Sequence, residues 1–281
     1  MGDERDRAFV EERIGAYLGG DARAAGPLLA DDFVKEFPQS GERIRGRSNT
    51  MAIDAANPMP PQLIGLPHMT WCGEEQLLVE ARQAYPDGAW WIVALYDVEG
   101  RTLRREAAYY GAPFPAPAWR APYVVPIPQG DPTADPGGQA VDRELVDRYF
   151  AALAANDFAA LTRLRHPSFV SDMPQSGERY PTHQAQVAAE LAYPGGLPAI
   201  STKRLRGASD TWTVGPSFSV LRLSGRGAHW SGEALLTYPS GERSHAVTVL
   251  EYRDGLVIRE RNYYCPPFEA AAWRAAWVDP A

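Results

Sequence analysis

"FVKEFPQSGER" runs from Phe33 to Arg43, and "FVSDMPQSGER" runs from Phe169 to Arg179. Two near-copies of one stretch in a single chain make internal duplication the first possibility to follow. Glu42 falls on Glu178, an offset of 136 (178 − 42), and the same offset carries Phe33 onto Phe169 and Asp21 onto Asp157 without a gap. A second matched pair is "REAAYYGAPFPAPAWRAPYV" (Arg105 to Val124) and "RERNYYCPPFEAAAWRAAWV" (Arg259 to Val278), at an offset of 154 (259 − 105). The second copy therefore holds 18 more residues (154 − 136) between its matched blocks. A period this long is a duplicated domain, not a solenoid unit. The expected division is one domain over 1–124, a Pro/Gly-rich linker over 125–140 and a second domain over 141–281.

The bulk numbers agree with two soluble domains. The chain has 281 residues, 45% of them apolar and 22% charged. A net charge of −7 excludes a sequence-independent grip on nucleic acid, which needs a basic face. No run approaches the roughly 18 apolar residues of a membrane span, and the charged start "MGDERDRAFVEERIGAYLGG" lacks a signal-peptide core. Cys72 and Cys265 form no CxxC and no metal-ligand spacing, so a cytoplasmic setting without a disulfide is expected. Lysine occurs only at Lys35 and Lys203 while arginine abounds, which reads as the coding bias of a GC-rich genome.

Each copy opens with an amphipathic helix, with Val10, Ile14, Tyr17 and Leu18 on one stripe and Val146, Phe150 and Leu153 on its counterpart. Gly20 and Asn156 suit left-handed C-caps, and Asp21 and Asp157 suit the next N-caps. A short second helix is expected, broken in copy one by Pro27. The repeated stretch then reads as strand, Pro-Gln-Ser-Gly turn and returning strand. A third helix follows over 48–56 and 182–192, and the rest of each copy is sheet, with two strands around a Tyr-Pro-x-Gly turn and a last strand ending at Tyr-Tyr. The class is α+β: about three helices per copy, packed on one face of a curved antiparallel sheet.

The helix pair, the short hairpin, the third helix, the Tyr-Pro-Asp/Ser-Gly hairpin and the terminal Tyr-Tyr strand resemble the SnoaL-like group of the NTF2-like, or ketosteroid-isomerase-like, superfamily. "PQSGERIRGR" and "PFPAPAWRA" in particular are similar to bacterial members. The resemblance covers nearly the whole chain, twice. It implies two tandem cone-shaped domains, each around a pocket for a small, largely apolar ligand, working without a cofactor. It also implies pairing, so that the two copies stand as a pseudo-dimer within one chain. Activities in this superfamily include isomerase, polyketide cyclase and epoxide hydrolase, beside non-catalytic binding and self-association.

In the isomerase branch the general base is an Asp just before the Pro that follows the first strand; Phe37 and Met173 occupy that place here. Glu36 and Asp172 stand one residue earlier. Strand alternation points them to the opposite face, a solvated edge, unless a bulge turns them inward. The last strand is more informative. Leu256, Ile258, Glu260, Asn262 and Tyr264 share one face, which begins apolar and so is expected to point inward; copy one carries Glu106 and Tyr110 there. Glu260 is the expected proton carrier and Tyr264 the expected donor to a developing oxyanion, with Asp172, Glu106 and Tyr110 as further catalytic candidates. Asn262, His229 and His245 are candidate ligand contacts in copy two. The alternative for Glu260 is a structural strut with an arginine such as Arg43 or Arg179. No histidine pair has metal-ligand spacing, and no GxSxG or Gly-rich phosphate loop occurs. Copy two is the expected active copy, because Asp172, Asn262, His229, His245 and the extra residues lie there. In the repeated turn, Glu42 and Glu178 are expected to pair with Arg43 and Arg179, and Trp119 and Trp273 to fold each tail back onto its own domain.

Overall fold

The computed structural model describes residues 4–73, 75–128, 140–207, 211–213, 220–222 and 227–279. Two compact units form: unit 1 from 1–112 and 267–281, unit 2 from 113–266. This grouping departs from the division expected at 124 and 141. The segment after each copy's last strand belongs to the unit built on the other copy. In "APFPAP" after Gly111, Pro113, Pro115 and Pro117 carry no N–H and hold φ extended, which keeps this stretch out of the sheet it leaves. Most of the expected linker, 129–139, lies outside the described residues.

Unit 1 begins with α1 (Glu4–Leu18), which buries Val10, Ile14 and Leu18 as its spacing predicts. Gly20 follows at φ +102°, a left-handed stop. The short second helix expected in copy one is absent: 21–28 form turns through Gly26-Pro27, where proline cannot continue a helical ladder. Then come β1 (Leu29–Phe37), β2 (Glu42–Arg45), α2 (Arg47–Ala56), β3 (Gln62–Leu63), β4 (His68–Trp71), β5 (Gln76–Tyr85), β6 (Gly88–Glu99) and β7 (Thr102–Gly111). The sheet order is β17-β2-β1-β7-β6-β5-β3, with β4 also on β5 and β17 (Val278–Asp279) at the edge.

Unit 2 repeats the plan with β8 (Val125–Pro126), α3 (Arg143–Ala154), α4 (Phe158–Leu164), β9 (Arg165–Met173), β10 (Glu178–Tyr180), α5 (His183–Leu191) and β11 (Ala199–Gly207). A small hairpin of β12 (Thr211–Thr213) and β13 (Val220–Arg222) precedes β14 (His229–Thr237), β15 (Arg243–Arg253) and β16 (Leu256–Cys265). Here the second helix does form: Asn156 adopts φ +52°, and Asp157 accepts from the Ala160 N–H at 2.9 Å. The order β8-β10-β9-β16-β15-β14-β11 matches unit 1 strand for strand. Both sheets contain one parallel pair, β1 with β7 and β9 with β16, within otherwise antiparallel pairing. Helix stripes and inner sheet faces meet in a main core in each unit, around Phe33 and Tyr96 in the first and Phe169 and Trp230 in the second, with smaller clusters beside them.

The repeated turn fastens the sheet. Gln39 Nε2 donates to the Tyr110 carbonyl at 2.9 Å while its Oε1 accepts the Tyr110 N–H at 2.6 Å. Gln175 holds Tyr264 in the same way, at 2.9 and 2.6 Å. Glycines at φ +76° and +73°, Gly41 and Gly177, close the turns. The glutamates do not pair with Arg43 and Arg179. Arg274 Nε donates to Glu42 at 2.6 Å, and Arg120 lies 3.1 Å from Glu178. Alternation along β2 and β10 explains this: the next residue turns to the other face, where Arg43 lies 3.9 Å from Glu36 and Arg179 bonds Asp172 at 2.6 Å. Nor do the tryptophans fold back on their own copies. Trp273 packs against Phe37, Ile44, Ile53 and Ala108, and Trp119 against Met173, Tyr180 and Ala189.

Candidate functional site

Unit 1 encloses a cavity of about 320 Å³. Strand alternation on β1 sends Lys35 and Phe37 into it and Glu36 away. Glu106 arrives beside Lys35 because β1 and β7 are paired parallel with Lys35 opposite Glu106. β6 supplies Ile92, Ala94 and Tyr96, α1 supplies Tyr17, and α2 supplies Ile53 and Asp54. Tyr110 and Trp90 stand further out, and Phe268, Ala271 and Trp273 close one side.

At the polar end, Lys35 Nζ lies 3.3 Å from Glu106 Oε2 and 3.9 Å from Asp54 Oδ1. It donates to Tyr17 Oη at 2.7 Å, and that hydroxyl donates to Asp54 Oδ1 at 3.1 Å. The ammonium also lies 5.2 and 5.6 Å from the ring centroids of Tyr17 and Phe37, within cation–π range. Burial pulls Lys35 towards neutrality, but Glu106, Tyr17 and Asp54 outweigh it and hold the ammonium well above an ordinary lysine. Burial pushes the Glu106 carboxyl up, and Lys35 offsets this only in part. Burial likewise keeps the Tyr17 phenol neutral and raises Tyr110 to about 12. Tyr96 is 2% exposed; its hydroxyl lies close enough to favour ionised Glu106 but makes no hydrogen bond of normal geometry.

The matching position in unit 2 is Glu260, and its surroundings differ. Its carboxylate accepts from Tyr149 Oη (2.5 Å), Arg165 Nη2 (3.3 Å), Ser171 Oγ (3.2 Å), Gln186 Nε2 (3.3 Å) and Asn262 Nδ2 (2.7 Å). Burial alone would raise it; Arg165 and these donors overcome burial and hold Glu260 below the ordinary range. The strut partner is thus Arg165, not Arg43 or Arg179. The Phe150 ring occupies the space where a Cβ at Gly232 would stand.

The structure brings Glu260 and Asn262 together and joins Glu106 and Tyr110 to one cavity. It does not join Tyr264 to Glu260: no hydrogen bond links them among the described residues, and Tyr264 faces a groove with Tyr193 and Tyr238. Asp172 is 1% exposed and not a solvated edge, because Arg179 and Arg259 cover it, each donating at 2.6 Å. Glu36 is likewise buried, accepting from Arg105 Nε at 3.0 Å. His229 lies across from Glu251 at the start of β14. His245 is buried 3.4 Å from Lys203, and burial together with Lys203 lowers it to about 4. Lys35, Tyr17, Asp54 and Tyr96 were not among the sequence candidates. One signal was legible: in "FVKEF" a lysine takes the inward alternate place between two phenylalanines. Among the described residues no group of three or more His, Cys, Asp or Glu could hold a metal ion, Cys72 and Cys265 are both buried, and no helix is long and apolar enough to cross a membrane.

No protein-family model and no curated protein matches the chain. Solved structures do. An NTF2-like protein of unknown function from Burkholderia xenovorans LB400 is 29% identical, over 50% of this chain and 94% of that one, at TM-score 0.40. An LEH-like epoxide hydrolase of M. tuberculosis is 17% identical, over 43% and 80%, at TM-score 0.32. Bal32a, from a soil-derived mobile gene cassette, is 20% identical, over 48% and 94%, at TM-score 0.33. Each match spans about half of this chain; the internal repeat and the strand order common to both units make the chain two tandem copies of one α+β, helix-on-sheet fold.

Proposed function

We propose that unit 1 is an enzyme that performs acid/base chemistry on a small, largely apolar carbonyl compound, and that the Glu106 carboxyl carries the proton. The observation behind this reading is the Asp54–Lys35–Glu106 row at the polar end of an otherwise apolar cavity. A carboxyl with a raised pKa is matched to proton transfer near neutral pH. Glu106 takes the proton from the carbon next to the carbonyl and returns it at another position. The Tyr96 hydroxyl, which lines the same cavity beside Glu106, donates to the oxygen that gains charge. Lys35 stays an ammonium and holds both carboxylates in place. Glu260 is a poor counterpart, since five donors occupy its lone pairs and proton transfer would break that set.

The test is exchange of solvent deuterium into the α-carbon of a panel of small cyclic ketones, followed by NMR. Glu106→Gln is expected to lower the exchange rate at least about a hundredfold, with Glu260→Gln as the comparison. Undiminished exchange in folded Glu106→Gln removes Glu106 from the mechanism. Exchange absent from the parent chain as well favours a non-catalytic binder.

A second reading, epoxide hydrolysis, is favoured by Asp54. With Glu106 it gives two carboxylates around one cation, enough for one group to activate water while the other protonates the opening oxygen. Diol formation from styrene oxide, lost in Asp54→Asn, would select it over the first.

A further inference from the structure

The cavity of unit 1 is not closed by copy one alone. Copy one's own segment after its final strand lies in unit 2, where Phe114 meets Tyr264 at 6.4 Å between ring centroids. The side of the unit 1 cavity is filled instead by Phe268, Ala271 and Trp273, from the end of the chain. Phe268 stands edge-on to Tyr110 at 6.3 Å.

Anchor and wall overlap at Trp273, which packs on Phe37 and Ile44, and at Arg274, which also lines the cavity; they part at Ala271. The anchor is β17 on β2, pairing Val278 with Ile44, together with the Arg274–Glu42 ion pair. The wall is Phe268, Ala271 and Trp273. The small side chain of Ala271 leaves room that a larger residue would take from the cavity. A substitution of the Ala271 side chain, which takes no part in the β17 pairing or the Arg274–Glu42 ion pair, can therefore change the cavity without loosening the anchor, which is the property of a specificity-determining position.

We propose that the segment 267–279 sets which molecules the unit 1 cavity accepts, with Ala271 as its specificity residue and Trp273 holding it in place. Copy two thus contributes to the site through its tail, while its own Glu260 stays locked in a structural cluster. This rests on the reading of the cavity as a small-molecule site.

The experiment uses the full chain and the uncharged, environment-sensitive ketone dye prodan, titrated by fluorescence. Ala271→Phe should weaken binding about tenfold or more by occupying the cavity, with the thermal midpoint close to the parent's. Ala94→Phe, which fills the same cavity from β6, is the companion. If Ala94→Phe abolishes binding and folded Ala271→Phe leaves it unchanged, the tail has no such role. If the parent binds no dye, the cavity reading falls and this proposal falls with it. Should Ala271→Phe fail to fold, the smaller change Ala271→Leu carries the test, with a weakening of several-fold expected and parental affinity overturning the proposal.

Discussion

Lys35 Nζ stands 3.3 Å from Glu106 Oε2 at the polar end of the unit 1 cavity. In unit 2 the cation beside the equivalent Glu260 comes from another place, Arg165 at the start of β9, while Ser171 takes the lysine's position. The same glutamate thus has two fates after duplication. One keeps a single cation and a raised pKa; the other is saturated with donors and held low.

Removing the lysine should strand a buried carboxylate. Lys35→Met is expected to destabilise unit 1 by about 3 kcal/mol, read as a lowered urea midpoint. Part of the loss should return on acidification, because protonated Glu106 no longer needs a cation. A uniform loss at every pH would mean that the pair is not the source.

The two glutamates should respond in opposite ways. Glu260→Gln leaves Arg165 buried without its counter-ion and should cost about 3 kcal/mol of stability. It should leave deuterium exchange nearly intact. Glu106→Gln should cause a large loss of rate, with a smaller stability loss than Glu260→Gln because Lys35 keeps Asp54 as a counter-ion. Calorimetry and exchange rates on both variants check the contrast.

Glu190 offers a pH test. Burial, opposed by Arg165 and reinforced by Glu260, pushes its carboxyl up from 4.5 to about 7. A raised carboxyl binds its proton more tightly in the folded state. Its contribution is therefore complete below about pH 4.5 and is lost as pH rises towards 7. Glu190→Gln should remove that slope, so its curve of thermal midpoint against pH should converge on or cross the parent's across this window. Parallel curves would show that Glu190 titrates as an ordinary surface carboxyl.

Gly232 is tested by adding one methyl group. A Cβ there would run into the Phe150 ring, and the backbone of β14 cannot easily yield. Gly232→Ala should cost about 1–3 kcal/mol through overpacking, and Gly232→Ala with Phe150→Leu should recover part of it. No loss in the single variant would mean that the ring swings aside freely.

Much of this fold was legible because local patterns and long-range matches agreed. The repeat fixed the register of Phe33 with Phe169, and the stripe Val10, Ile14, Leu18 forecast the buried side of α1. Pro27 forecast the missing turn of helix. The site was harder to see. Glu106 and Tyr110 follow from alternation along one strand, but the partner of Glu106 is set by parallel pairing of β1 with β7, a contact distant in sequence. Lys35 was masked by its rarity, which resembles a compositional trait, although its place between Phe33 and Phe37 marks an inward position. The weighting towards copy two followed the number of polar residues. Asp172 and Glu260 are instead consumed by arginines, whose reach no strand pattern records.

The pairing of Glu42 with Arg274 spans 232 positions of sequence. The ribosome makes Glu42 well before Arg274. Unit 1 therefore waits, with one edge of its sheet and one side of its cavity open, until copy two has been made. Unit 2 has no such wait, since its borrowed segment, 113–128, precedes it in the chain. Contacts of long sequence separation close slowly, so the half made first should be the half completed last. A gene cut between the copies would yield neither half whole.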